Sequence, residues 1–231
     1  MYFGSCYFQY NGIPYYLSQL TLLEELDISF TLMNGPINAS IFTALSNLQY
    51  LEMGGNGYNS SLPSEIYQLP NLQTLYIENA WLSDTPEFIQ YMHTLSELWI
   101  DDNPGINGTL PTGIGELSHL KSISISGCSL TGPIPTEIGQ LSTMVGIWLY
   151  DNDLRGTIPT EVANLKNLQN FQTQGNSQLT GSMPPGLCVN TATFNGELLF
   201  LSTDCKGQGG NVICECCDCC KSPCKFDEVN T

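Results

Sequence analysis

From Leu141 the chain reads L-S-T-M-V-G-I-W-L-Y-D-N-D-L-R-G-T-I-P, and from Leu117 it reads L-S-H-L-K-S-I-S-I-S-G-C-S-L-T-G-P-I-P, the same template 24 residues earlier. Apolar residues hold the first, fourth, seventh and ninth places of both, with polar residues between them. Further copies begin at Leu20, Leu45, Leu69, Met92 and Leu165. A period of about 20–29 residues with this layout predicts a stacked solenoid, in which each copy buries its apolar places against its neighbours. Inside each copy the alternation seen in L-W-I-D at 98–101 predicts a short strand with one side chain in and the next out. Stacking the copies then makes a parallel sheet, and segments such as T-E-I-G-Q-L are predicted to close the outer face with short helical turns.

Polar places in the template have their own physical reasons. Asn56, Asn103, Asn152 and Asn176 fall where the chain leaves the strand, and a side-chain amide there bonds backbone groups that no ladder partner reaches. Gly35, Gly108, Gly132, Gly156 and Gly181 permit a tight backbone path past the turn, and the prolines that follow limit further pairing. With its L-x-G-x-[IL]-P endings the repeat resembles the plant-type leucine-rich repeat of receptor ectodomains and polygalacturonase-inhibiting proteins. The resemblance implies an α/β leucine-rich-repeat solenoid: a right-handed superhelix with a parallel concave sheet and short 3-10 or irregular convex segments. It covers residues 1–185, with a C-terminal cap expected over 186–206 and a Cys-rich tail over 207–231. The copy at 69–91 departs most, with Ala80 in the Asn place and Asp84 in the Gly place, so its outer turn is expected to be irregular. The chain starts inside a repeat, with Cys6 in an Asn place, and reads as the C-terminal part of a longer product whose signal and N-terminal cap are missing.

Side chains pointing away from the core should line the concave face. Those places collect Glu25, Asp27, Glu52, Glu78, Glu97, Asp101, Asp102, Asp151 and Asp153, interleaved with Phe30, Tyr50, Tyr76, Trp81, Trp99, Trp148 and Tyr150. No lysine or arginine joins them. The candidate ligand-binding residues are therefore Asp27, Glu52, Tyr76, Glu78, Trp81, Trp99, Asp101, Asp102, Trp148, Tyr150 and Asp151, an acidic and aromatic platform for a protein, a basic peptide or a glycan. The formal charge of −16, from 6 basic and 22 acidic residues, argues against nucleic acid and against contact with anionic membranes. Carboxylates crowd at Asp101-Asp102 and Asp151-x-Asp153, but no complete calcium loop accompanies them. His93 and His119 fall on surface places without a nucleophile at motif spacing, and no catalytic motif, cofactor or metal requirement is read.

Ten cysteines and three Asn-x-Ser/Thr acceptors, at Asn38, Asn59 and Asn107, point to an oxidising, extracellular or cell-surface setting. Cys6 and Cys128 occupy Asn places five rungs apart, about 24 Å at the spacing of a parallel sheet, and are expected as buried thiols. Cys188 and Cys205 bound a segment whose apolar end, E-L-L-F-L, suits covering the last rung, and a bridge between them is expected to fasten the cap. The tail I-C-E-C-C-D-C-C-K-S-P-C suits either a disulfide knot or a thiolate zinc site. It also resembles the C-terminal ends of repeat proteins abundant in diatoms. The function expected is an extracellular binding module and not an enzyme, with an intracellular scaffold carrying a metal-binding tail, or a structural wall or matrix component, as alternatives.

Overall fold

A computed structural model describes residues 1–2, 12–189, 198–205, 210–214 and 216–217. Each repeat contributes a three-residue strand to one parallel sheet: β1 (Glu25–Asp27), β2 (Tyr50–Glu52), β3 (Thr74–Tyr76), β5 (Glu97–Trp99), β7 (Ser122–Ser124), β9 (Gly146–Trp148), β11 (Asn170–Gln172) and β13 (Phe200–Ser202), in that order across the sheet. The register is unbroken, so Leu26, Leu51, Leu75, Leu98, Ile123, Ile147, Phe171 and Leu201 form one column. All eight are buried. Burying each such side chain contributes about 1.5–3 kcal/mol, and in a solenoid that burial comes in part from the neighbouring copies.

The buried asparagines work as predicted, rung to rung. Asn103 accepts hydrogen bonds from the N–H groups of Ala80 and Leu82, both at 3.0 Å, and donates to the carbonyls of Ile77 and Ile100, both at 2.9 Å. Asn56, Asn152 and Asn176 likewise accept from the preceding rung, at Met33, Leu130 and Leu154. Cys128, in the Asn place of its own rung, donates only weakly to Ile100 O at 3.5 Å. It is a free, largely buried thiol, and burial pushes its pKa up to about 12. Cys6 lies outside the described residues.

A second parallel sheet departs from the sequence expectation. The segments read as turns pair with one another as β4 (Ser83–Asp84), β6 (Gly105–Gly108), β8 (Ser129–Gly132), β10 (Asp153–Thr157), β12 (Gln178–Ser182) and β14 (Val212–Ile213). Its glycines are nonetheless where the tight path requires them: Gly132, Gly156 and Gly181 have φ of +75°, +86° and +85°. Prolines then start the outer turns. Pro111, Pro135 and Pro159 stand in extended backbone just before the 3-10 turns Thr112–Glu116, Thr136–Gln140 and Thr160–Asn164, which bury Ile114, Ile138 and Val162. In the 69–91 copy β4 is only two residues long, and Asp84 accepts the Leu62 N–H at 3.1 Å.

The C-terminal end differs from the predicted pairing. Cys188 bridges Cys216, with Cα atoms 5.5 Å apart, and Cys214 bridges Cys217. The expected Cys188–Cys205 bridge is therefore corrected. β14 pairs with β12 and brings the first tail cysteines beside the last outer turn (Pro185–Cys188), whereas Cys205 follows β13 at the edge of the inner sheet. Cys205 is itself disulfide-bonded. The last rung thus draws on residues from both sides of position 206.

Candidate functional site

The strand residues that flank the buried column point away from the core and are held at the strand spacing, so chemically similar neighbours meet face to face. Tyr50, Tyr76, Trp99 and Trp148 form a continuous run of rings. Centroid separations are 5.7 Å for Tyr50–Tyr76, 5.3 Å for Tyr76–Trp99 and 5.9 Å for Trp99–Trp148. Trp99 reaches Trp148 across β7 because that strand carries only Ser122 and Ser124 at the outward places. Such tilted and edge-on contacts contribute about 0.5–1.5 kcal/mol per pair beyond burial. All four rings remain half-buried, so the run is a surface.

Carboxylates border the rings. Tyr50 donates its hydroxyl to Glu52, and Tyr76 donates to Glu97. Burial and these carboxylates push both phenols well above their usual range. Asp101 accepts from Ser124 Oγ at 2.7 Å and from the Ser126 N–H at 2.5 Å. Its carboxyl nevertheless stands above the usual range, because burial outweighs the two bonds. Glu78 is raised as well, by burial first and then by Asp101 and Glu52. Asp27 is engaged locally, accepting from both the N–H and the hydroxyl of Ser29. Beyond Trp148 in the same column, Gln172 is wholly buried, and neither its amide oxygen nor its amide nitrogen has a partner among the described residues. The Trp99 indole N–H is unpartnered in the same sense.

A further row follows one step beyond the strands. Phe30, Gly55, Asn79, Asp102, Gly127, Asp151 and Gly175 all have φ between +46° and +74°, the left-handed region open to Gly and tolerated by Asn and Asp. The alternation of these residue types just before the Asn place carries that signal in the sequence. Asp102 and Asp151 lie across the glycine of the next rung: a Cβ at Gly127 would sit 2.4 Å from Asp102 Oδ1, and one at Gly175 2.0 Å from Asp151 Oδ1. Tyr150 is half-buried beside Asp151. Trp81 does not join the run of rings. It stands past the Asn place of its rung, 67 % exposed, next to two open cavities. Among the described residues no three carboxylates come close enough to share an ion, and the one group with metal-ligand spacing is Cys205, Cys214 and Cys217. Two of those sulfurs are bonded to each other, so they are not available as thiolates. Asn38, Asn59, Asn107, His93 and His119 are all exposed.

These two sheets and the asparagine bonds define a leucine-rich-repeat solenoid of the plant type. A Leucine Rich Repeat family model matches residues 119–141. The chain is 34% identical over 128 residues to Receptor like protein 23 of Arabidopsis thaliana, covering 54% of this chain and 14% of that protein. With Receptor like protein 28 of the same plant it shares 29% identity over 114 residues, 49% of this chain and 14% of the relative. The chain thus spans about one seventh of the length of these relatives. Among solved structures a TDR receptor superposes with a TM-score of 0.75 at 26% identity, covering 87% of this chain and 33% of the other. The plant peptide hormone receptor RGFR1 in complex with RGF2 gives 0.65 at 25% identity, over 88% of this chain and 34% of the other. A leucine-rich-repeat protein of Leptospira interrogans gives 0.71 at 27% identity, over 87% and 47%. Among the described residues no helix is long and apolar enough to cross a membrane.

Proposed function

We propose that the chain is an extracellular or cell-surface binding module that captures a basic peptide or protein segment on its inner sheet. The observation that carries this is the run Tyr50–Tyr76–Trp99–Trp148 with Glu52, Glu78, Glu97 and Asp101 along it. Half-buried rings in a row offer contact area at small conformational cost, and half-buried carboxylates favour a cation over an anion. Similarity to a plant peptide hormone receptor solved in complex with RGF2 supports the same reading. The disulfides of the C-terminal end favour an oxidising compartment over the reduced, metal-binding scaffold.

The test is capture from a displayed library of Lys/Arg-containing peptides by the folded protein, followed by titration of the selected peptide. Trp99→Ala with Trp148→Ala is expected to abolish saturable binding while the melting temperature moves by only a few degrees. Undiminished binding by the double variant would remove the platform, and absence of any saturable peptide would favour a matrix role.

A further inference from the structure

Trp81 is held outward by an uncommon backbone. In the β8 and β10 rungs the residue after the Asn place, Ser129 or Asp153, enters the second sheet directly, whereas here β4 begins only at Ser83, and Leu32 in the equivalent place two rungs earlier shares the left-handed backbone at φ +58°. Asn103 Oδ1 instead accepts from the N–H groups on both sides, Ala80 and Leu82, and Trp81 between them has φ +57°. A bulky residue in this region costs roughly 1–3 kcal/mol and persists only where its surroundings enforce it. The ring so presented forms one wall of an open cavity of about 350 Å³. Asn59, Asn79 and Asp102 stand in its lining, all exposed and all left-handed, at φ +48°, +46° and +54°. The volume falls within the range of small-ligand sites, about 300–1,000 Å³.

Asn59 opens the sequence Asn59-Ser60-Ser61, an acceptor for an N-linked glycan. A sugar attached at its amide nitrogen starts at the edge of the cavity. An N-acetylglucosamine ring has an apolar face that stacks on an indole, and hydroxyl and acetamido groups that pair with an amide such as Asn79 and a carboxylate such as Asp102. We propose that the Trp81 cavity is the seat of the first sugars of a glycan carried by Asn59, which covers the exposed ring in the mature protein. The inference rests on the extracellular reading only in requiring passage through a glycosylating compartment.

The experiment secretes the chain from a glycosylating host behind a supplied signal peptide, so that native localisation does not enter. Peptide mapping reports occupancy at each acceptor, and amidase release of glycans from the folded protein reports their accessibility. Asn38, exposed and outside the cavity lining, is the reference. The glycan at Asn59 is expected to leave about tenfold more slowly than that at Asn38, the effect of one ring stack. Trp81→Gly keeps the left-handed backbone and removes only the ring; it should equalise the two rates. In deglycosylated protein the same substitution should leave the melting temperature unchanged or higher. Equal rates in the parent protein, rates unaffected by Trp81→Gly, or a bare Asn59 would each overturn the proposal. Peptide capture on the inner sheet, measured on the same samples, stands or falls separately.

Discussion

Asn103 and Cys128 show what one side chain does in a place that every repeat must fill. Asn103 is fully buried and its amide bonds five backbone groups: the N–H of Ala80 and Leu82 and the carbonyls of Ile77, Ile100 and Asp101. Asn103→Ala leaves the Ala80 and Leu82 N–H groups and the Ile77 carbonyl without this partner in the interior, where each costs about 1–3 kcal/mol, and relaxation recovers only part of it. We expect a loss of about 3 kcal/mol in urea unfolding. Cys128 makes only its long bond to Ile100 O, so Cys128→Asn should add about 1 kcal/mol by restoring the ladder. Because the Cys128 thiol is held near pKa 12, folded protein at pH 8 should resist iodoacetamide at this site. The asparagines were legible in the sequence because their spacing is that of the repeat. Trp81 was misplaced for the opposite reason: its direction is set by a bond from the next rung, and no local pattern in residues 69–91 announces it.

At the scale of the element, the inner strands followed directly from alternation, whereas the second sheet was hidden. Its strands are built from Gly, Thr, Ser and Asn, which read as turn residues, and they pair because the repeat holds them in register. Its glycines separate backbone from packing. A Cβ on Gly156 would touch nothing closer than Pro133 at 3.9 Å, yet its φ is +86°. Gly156→Ala should therefore cost about 1–2 kcal/mol through conformation alone. Gly139 sits in an outer turn, and there a Cβ would lie 2.4 Å from Glu161 O of the next turn. Gly139→Ala should cost about 1–3 kcal/mol through the forced separation of two rungs. The two losses are distinguishable, since Asn, which tolerates the left-handed region, should rescue position 156 and not position 139. Pairing of the cap cysteines was illegible for a related reason: Cys188 meets Cys216 only because β14 extends the sheet that the sequence concealed.

Across the whole molecule the acidic excess and the ring column act together, and their coupling has a definite sign with pH. Glu78 and Asp101 hold their protons to higher pH in the folded chain than in the unfolded one, chiefly because they are buried. The folded state then binds more protons, so this part of the stability is fully present below the ordinary carboxylate range and declines as pH rises through the interval up to the raised values. Glu78→Gln should flatten that decline and leave the protein slightly more stable near pH 7. A basic ligand acts oppositely, because a cation beside Glu78 and Asp101 favours their ionised forms. Binding should therefore release protons when measured in that same interval, and affinity should rise with pH until both carboxyls are ionised. Glu78→Gln should weaken a Lys/Arg peptide by about 1 kcal/mol and reduce the proton release, and added salt should narrow the difference between parent and variant. Titration calorimetry in buffers of different ionisation enthalpy measures both quantities. Affinity independent of pH and salt, with undiminished ring dependence, would mean that the inner sheet selects its ligand by aromatic contact and that the carboxylates serve solubility.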